Sequence, residues 1–467
     1  MDPRFLPHNA HLQSIRDFSS RDPNLRQLAK LPLPYRFPLL DHWRHLEAGI
    51  YSLTGGRQIG KTTVLKQWMA QLLEAEVDPG HVRYFAGELI DDHHTLVRLL
   101  TEQASEWAGR GRGYLVVDEV SYIRDWDKGV KFLADAGILE NVILMISGSD
   151  SALIQEARMR FPGRRGTSAI VDFHLGPLTF GEYVDLAKRM PTAGRRSLLG
   201  PVEGIAEPTR RLLDADFARY LAHGGFLRAI NDMAQGDAIL PSTFSTYGDW
   251  IRGDMIKRGK QETYLREILA AIAARYGTQV TWNALARDLS IEHPATVADY
   301  VSLLGSMDAV FVQPALIEDK LTAAPRKARR VMFTDPFVFH AVNAWLQPDP
   351  DPHRQTVQPI LDDPESSARL AEACAVTHVR RFHPTYYIKA EGEVDIAYTE
   401  GKRIHPIEVK WTQQLRPKDL KQIAKYKHGR IWARTWNTRE IAGLAVEPLP
   451  LALYRLGRST DQVRSPR

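Results

Sequence analysis

Ile50 to Thr63 reads IYSLTGGRQIGKTT and fits the pattern G-x-x-x-x-G-K-[ST] with Gly55, Gly60, Lys61 and Thr62. No other stretch limits the fold so tightly, because such a loop needs a strand entering it and a helix leaving it. The apolar run Ile50 to Leu53 supplies the strand. Val64, Leu65, Trp68, Met69, Leu72 and Leu73 recur at helical spacing and supply the helix. In that geometry backbone N–H groups and the positive helix end face phosphate oxygens. Lys61 then neutralises the outer phosphates, the Thr62 hydroxyl reaches Mg2+, and Thr63 is counted with them among the nucleotide-binding residues. The ligand expected is ATP with Mg2+.

Tyr114 to Val117 is a buried-strand signal that runs into Asp118 and Glu119. Both carboxylates are thus expected at the carboxyl end of a parallel strand, where open α/β sheets bind ligands. Asp118 would hold magnesium through water and Glu119 would orient or deprotonate the attacking water. A third strand, Val142 to Ile146, ends in Ser147-Gly148-Ser149, where Ser147 or Ser149 could sense the γ-phosphate. Arg158, Arg160, Arg164 and Arg165 follow, the last two in the glycine-flanked PGRRG. Such a loop can present an arginine to a neighbouring subunit's phosphates, or be a solvated basic loop.

The 467 residues exceed one ordinary core, and the lone Cys374 excludes an internal disulfide. The N-terminus lacks a signal-peptide core and no apolar run approaches the roughly 20 residues of a membrane span, so a cytoplasmic protein without membrane contact is expected. A net charge of +5 is modest support for a polyanionic partner. Further along, Leu265, Ile268, Leu269 and Ile272 mark one amphipathic helix, Trp282 to Leu289 a second and Pro294 to Leu304 a third, before an extended segment from Asp308. This is the helix-turn-helix plan with a wing. Its third helix offers His293, Thr296 and Asp299 but no arginine, which argues against base-specific reading. Arg326-Lys327-Ala328-Arg329-Arg330 is the better candidate for phosphate contact, or else a solvated linker.

Near the C-terminus, EVDIAYT (Glu393 to Thr399) and IHPIEVKW (Ile404 to Trp411) alternate as strands around Gly401-Lys402, which suits a two-residue type II′ hairpin. In that register Asp395 faces Glu408 and Glu393 faces Lys410. Two opposed carboxylates repel unless a cation sits between them. With Lys410 beside them they suit a Mg2+-dependent phosphodiesterase; the bland alternative is an exposed charged hairpin face.

The order GGRQIGKTT, LVVDEV, ISGSDS, PGRR, LGPLTFGEY, HGGF, TDPFV, EVDIAY and IEVK resembles the prokaryotic AAA-type ATPases with a C-terminal domain of unknown function. That terminal domain is similar to the restriction-endonuclease-like PD-(D/E)xK fold, and the resemblance covers nearly all of the chain after about residue 35. It implies an α/β chain: an extension (1–47), an AAA+ core (48–200) with a parallel sheet, a helical lid (201–258), a winged helix (259–322), a connector (323–360) and a nuclease-like domain (361–467). It also implies that Lys61 and Thr62 are the phosphate-loop residues, Asp118 and Glu119 the magnesium and water-activating acids, and Arg164 the finger. Asp395, Glu408 and Lys410 match the nuclease motif, and Glu372 in SARLAEACAV its helical acid. Arg228, after HGGF, is placed to close over the nucleotide from the lid, or to form a surface ion pair. Gly56 departs from related loops at a position the pattern leaves free. The implied assembly is a homo-oligomeric ring, a hexamer foremost, acting on DNA. The alternative is a nucleotide-dependent switch in signalling or defence whose C-terminal fold only binds.

Overall fold

The computed structural model describes residues 2–14, 18–149 and 165–458. It divides into two compact units, residues 1–176 and 177–467.

The first unit is built on five parallel strands, β1 (Gly49–Thr54), β2 (Val82–Ala86), β3 (Gly113–Asp118), β4 (Val142–Gly148) and β5 (Asp172–His174), in the order β2-β3-β4-β1-β5. β1, β3 and β4 read as continuous apolar runs because neighbours flank both edges and side chains cover both faces. The helix Lys61–Glu74 follows β1 and buries Val64, Leu65, Trp68, Met69 and Leu72, the face its periodicity predicts. Leu115, Val117, Leu144 and Ile146 form the core with residues of the helices His93–Trp107 and Trp126–Asp135. The N-terminal segment belongs to this unit: Phe5 joins that core and meets Phe85 edge-on at 5.0 Å. β2 is an edge strand that the sequence reading passed over, and the Asn9 side chain satisfies it. Tyr84 N–H donates to Asn9 Oδ1 and Asn9 Nδ2 donates to the Tyr84 carbonyl, each at 2.8 Å.

The second unit opens with the helix Phe180–Ala187. Thr179 and Glu182 form a capping box there, which gives LTFGEY a structural reason. Helices Glu207–His223, Leu227–Gly236 and Pro241–Lys257 follow. Then come helices Glu262–Ala274, Trp282–Arg287 and Pro294–Ser306 with a three-stranded antiparallel sheet. Its strands are β6 (Gln279–Val280), β7 (Val310–Pro314) and, after the small hairpin β8 (Leu316–Ile317) and β9 (Thr322–Ala323), β10 (Arg329–Phe333), in the order β6-β10-β7. The basic run thus ends inside a strand and is no linker: Arg330 is only 4% exposed.

The helix Pro364–Arg380 precedes a six-stranded sheet of β11 (Tyr386–Lys389), β12 (Glu393–Glu400), β13 (Arg403–Lys410), β14 (Arg430–Ala433), β15 (Glu440–Ile441) and β16 (Leu444–Pro448), ordered β11-β12-β13-β14-β16-β15. The β12–β13 pairing runs from Glu400↔Arg403 back to Ile396↔Ile407, the register expected from the turn, and Gly401 sits at φ +58. On its other edge β12 is irregular, because Tyr386 pairs with Ala397 but Ile388 with Val394. Such a bulge re-aims the side chains within it, here Asp395 and Ile396.

Candidate nucleotide site

The turn from β1 into its helix depends on two glycines. Gly55 has φ +150, and a Cβ there would lie 2.2 Å from the Leu175 carbonyl oxygen. Gly60 has φ +102 and would press a Cβ onto the Phe37 ring at 2.9 Å. Lys61 follows at the helix start, 5% exposed. Its Nζ donates to the carbonyls of Gly55 and Gly56 at 3.1 Å each and to Ser149 Oγ at 3.4 Å, and lies 3.5 Å from Glu119 Oε1. Burial pulls the Lys61 pKa down, against the attraction of Glu119 and Asp118. Thr62 and Thr63 are half-buried beside it.

Asp118 is buried at the carboxyl end of β3 and accepts from four groups. Thr62 Oγ1 and the Tyr84 hydroxyl each donate to Oδ2 at 2.6 Å. The Ser147 hydroxyl and the Glu119 N–H, at 3.1 Å, donate to Oδ1. These donors fix the carboxylate beside the Thr62 hydroxyl, so two hard oxygen ligands adjoin at the phosphate loop. That pair fits a Mg2+ whose remaining ligands are water and phosphate. When bound, the ion would neutralise charge on the transferring phosphoryl group.

Glu119 leaves the strand in a left-handed conformation, φ +51 and ψ +49, which for a non-glycine residue costs on the order of 1 kcal/mol. Ser149 Oγ meets both Glu119 carboxylate oxygens at 2.8 Å. Strain at Glu119 aims its carboxylate at the loop lysine and leaves the Asp118 carboxylate with Thr62. Lys61, Thr62, Asp118, Glu119, Ser147 and Ser149 therefore converge as the sequence predicts. Tyr84, buried on β2, was missed. The alternation in HVRYFA between Gly80 and Gly87 could have marked that strand, but nothing local in sequence ties the tyrosine to Asp118.

Arg158, Arg160 and Arg164 lie outside the described residues. Arg165 turns inward: it pairs with Asp172 at 2.6 Å and donates to the carbonyls of Val171 and Ile50, so the outward reach expected of it is not found. Arg228, in the second unit, donates to Thr246 Oγ1 at 3.3 Å. Asp299, on the third helix of the helix-turn-helix plan, pairs with Lys260 at 2.5 Å.

In the second unit Glu372, Asp395 and Glu408 are gathered, with a cation among them. The cation is Arg330, delivered by β10. It donates to Glu372 Oε1 at 2.6 Å and to the Glu393 carboxylate, and lies 3.5 Å from Asp395 Oδ1. Glu393 also takes Gln279 from β6 and pairs with Lys389 at 3.6 Å, where Lys410 was expected to face it. Lys410 instead bonds Glu408 at 2.5 Å, while Glu408 Oε2 is buried without a hydrogen bond. Asp395 Oδ2 accepts from Val409 N–H at 2.9 Å. Burial, then the Asp395 charge, raises the pKa values of Glu372 and Glu408. Burial alone would lower that of Arg330, but the surrounding Glu372, Asp395 and Glu393 hold it above its ordinary value. Among the described residues no group of three or more acidic, histidine or cysteine side chains is placed to hold a metal ion. The acids as arranged thus do not fit the expected divalent centre.

Among the described residues no helix is long and apolar enough to cross a membrane. Residues 47–184 match the family model described as an AAA domain, and residues 214–349 match a domain of unknown function, DUF8612. No curated protein matches the chain. Solved structures with remote likeness include a Walker-type ATPase of Pyrococcus abyssi (14% identity, 63% of this chain and 91% of that one, TM-score 0.41). They include the ORC2 protein of Aeropyrum pernix in its ADPNP–ADP complexes (12% identity, 64% and 88%, TM-score 0.37). A third is a RuvB variant of Thermotoga maritima (18% identity, 66% and 90%, TM-score 0.28). At these TM-scores the likenesses say nothing about activity. The glycine loop, the parallel sheet beneath it and the family match agree, and the chain carries an AAA-type P-loop ATPase domain, followed by a region matching a domain of unknown function.

Proposed function

We propose that the chain hydrolyses ATP with Mg2+ and uses the cycle to remodel or translocate on DNA, branched DNA included. The observation that carries the ATP half is the constellation on β1, β3 and β4: Lys61 on the loop, Thr62 hydrogen-bonded to Asp118, and Glu119 held by Ser149. In this reading Lys61 leaves the loop carbonyls for the outer phosphates, Thr62 and Asp118 hold the metal side, Glu119 orients the attacking water and Ser147 keeps Asp118 in place. Arg164 of one subunit would complete the site of the next in a homo-oligomeric ring, a hexamer foremost. The DNA half is supported by the +5 charge and by three helices with the sheet β6-β10-β7, in which β6 falls between the first and second helices and β7 and β10 follow the third, the order of elements in a winged helix. The mixed sheet that carries Asp395, Glu408 and Lys410 supports a nuclease-like C-terminal fold, and a Mg2+-dependent cutting site there would require Arg330 to leave the acids it now pairs with.

A second reading is favoured by one observation: Arg330 already pairs with Glu372 and Glu393 and lies 3.5 Å from Asp395. On that basis the C-terminal fold binds without cutting, and the protein is a nucleotide-dependent switch.

The test is steady-state ATP hydrolysis with no DNA, linear duplex, single strand and a four-way junction, against Glu119→Gln. Stimulation by one DNA form, with Glu119→Gln slower by about 100-fold or more, is the expected result. A rate indifferent to every DNA would refute the DNA half and leave the switch.

A further inference from the structure

Tyr84 is the donor to Asp118 that comes from the edge strand β2, and it is gripped from the N-terminal side. Its hydroxyl donates to Asp118 Oδ2 at 2.6 Å, the oxygen that also takes Thr62. Its ring carries Lys66 Nζ 3.6 Å from the centroid and stacks on His8 at 5.4 Å. Its backbone is held on both sides by Asn9. Lys66 has no exposed surface; it pairs with Asp22 at 3.3 Å and donates to the His8 carbonyl at 2.6 Å. Asp22 in turn caps the helix Pro23–Ala29. Thr62 and Lys66 are four residues apart and so share a helix face. Tyr84 lies along that face, its hydroxyl at the Thr62 end and its ring over Lys66.

Two features argue that this is more than packing. Burying a lysine with no exposed surface strips its ammonium of water and is unfavourable unless partners replace that water. Here a carboxylate, a carbonyl and a ring face all converge on it, a costly way to fill space. The edge of β2 is also closed from the N-terminal segment: His11 Nε2 bonds the Val82 carbonyl at 2.9 Å, and the Asn9 amide is aimed at Tyr84, whose hydroxyl reaches Asp118. A carboxylate oxygen shared by two donors cannot swing toward a metal unless the donors permit the movement.

We propose that Tyr84 is a positioning residue for the magnesium side of the ATP site, and that the N-terminal residues 2–14 and 18–29 set its position through Asn9, His8 and the Asp22–Lys66 pair. The proposal rests on the ATP-site reading. In this role Tyr84 acts through Asp118: its hydroxyl holds the carboxylate in the rotamer that would face the metal and leaves Thr62 free to turn to the ion. The N-terminal segment becomes part of the site's machinery, so whatever displaces it would weaken Mg2+ use without touching the phosphate loop.

The test compares wild type, Tyr84→Phe, Asn9→Ala and Lys61→Ala as full chains. Tyr84→Phe keeps the ring under Lys66 and removes only the hydroxyl. Two quantities are read: affinity for a fluorescent ADP in EDTA, and the free Mg2+ that gives half of the Mg2+-induced gain in affinity and, where turnover occurs, half of the maximal rate. For Tyr84→Phe the half-saturating Mg2+ should rise about ten- to hundredfold, as expected for loss of one hydrogen bond to a charged group, with affinity in EDTA unchanged. Asn9→Ala should shift the same midpoint in the same direction by a smaller factor. An unmoved Mg2+ midpoint in Tyr84→Phe, or an equal loss of affinity in EDTA, overturns the positioning role. A Tyr84→Phe shift with an unmoved Asn9→Ala curve overturns the N-terminal part. Failure of the ATP reading looks different: wild type would then bind no nucleotide, and Lys61→Ala would change nothing.

Discussion

His378 shows how one buried side chain ties stability to pH. Its Nε2 accepts from the Phe180 N–H at 2.9 Å, and its Nδ1 reaches the Cys374 carbonyl at 2.7 Å. Only the neutral ring with its proton on Nδ1 serves both. Burial, then the Arg381 charge, depresses the pKa to about 3. A depressed folded pKa means stability that is present above the ordinary value of 6.5 and lost as pH falls toward about 3, because the unfolded chain takes up the proton first. Denaturation at several pH values between 4 and 6 should therefore be shallower in His378→Gln than in wild type, by about 1.4 kcal/mol per pH unit. Equal slopes would mean that the ring is charged in the fold. The same scale separates what the sequence discloses from what it hides. Lys61 and Thr62 are legible because loop chemistry fixes their neighbours locally, and Asp118 and Glu119 because a strand end is a local signal. The contacts of Tyr84 with Asp118 and of Arg330 with its carboxylates were not legible, because each reaches its partner from a distant segment and no spacing rule links them.

Among the elements, β10 is where local reading and structure part. A run of four cations in five residues, Arg326 to Arg330, looks solvated, yet pairing with β7 places Arg330 inside. The hairpin β12–β13 was legible because a two-residue turn fixes register over its length. The bulge beside β11 was not, since it depends on a strand with no sequence link to that turn. Arg330 now stabilises three carboxylates at once, and removing one partner of a buried ionic network leaves uncompensated charge. Arg330→Gln should therefore cost about 3–5 kcal/mol in denaturant unfolding. If the acids can take a divalent cation, millimolar Mg2+ or Mn2+ will restore part of that loss in Arg330→Gln and none in Arg330→Gln/Asp395→Asn. Without restoration, the cluster is a structural ion network and the binding-only reading of the C-terminal fold gains.

At the scale of the whole molecule, each unit has its own buried core. Phe5, Leu115, Val117, Leu144 and Ile146 belong to one, and Ile388, Val394, Ile431, Leu444 and Val446 to another. The first was readable as a parallel α/β sheet, since apolar runs followed by glycine or acidic residues recur at each strand end. The division at Gly176 was not, because the sequence after β5 continues through ordinary turns with no change in composition. Units with separate cores melt as separate cooperative transitions, and a ligand stabilises only the one that holds it. Calorimetry of the full chain should show two transitions. MgADP at about 100 times its Kd adds about 2.7 kcal/mol to the first unit, enough to raise that transition by about 5–10 °C. Leu444→Ala, which hollows the second core at a cost of about 2–5 kcal/mol, should lower the other transition and leave the nucleotide-shifted one in place. A single transition that moves as a whole with either change would mean that nucleotide binding and the C-terminal sheet share one cooperative unit.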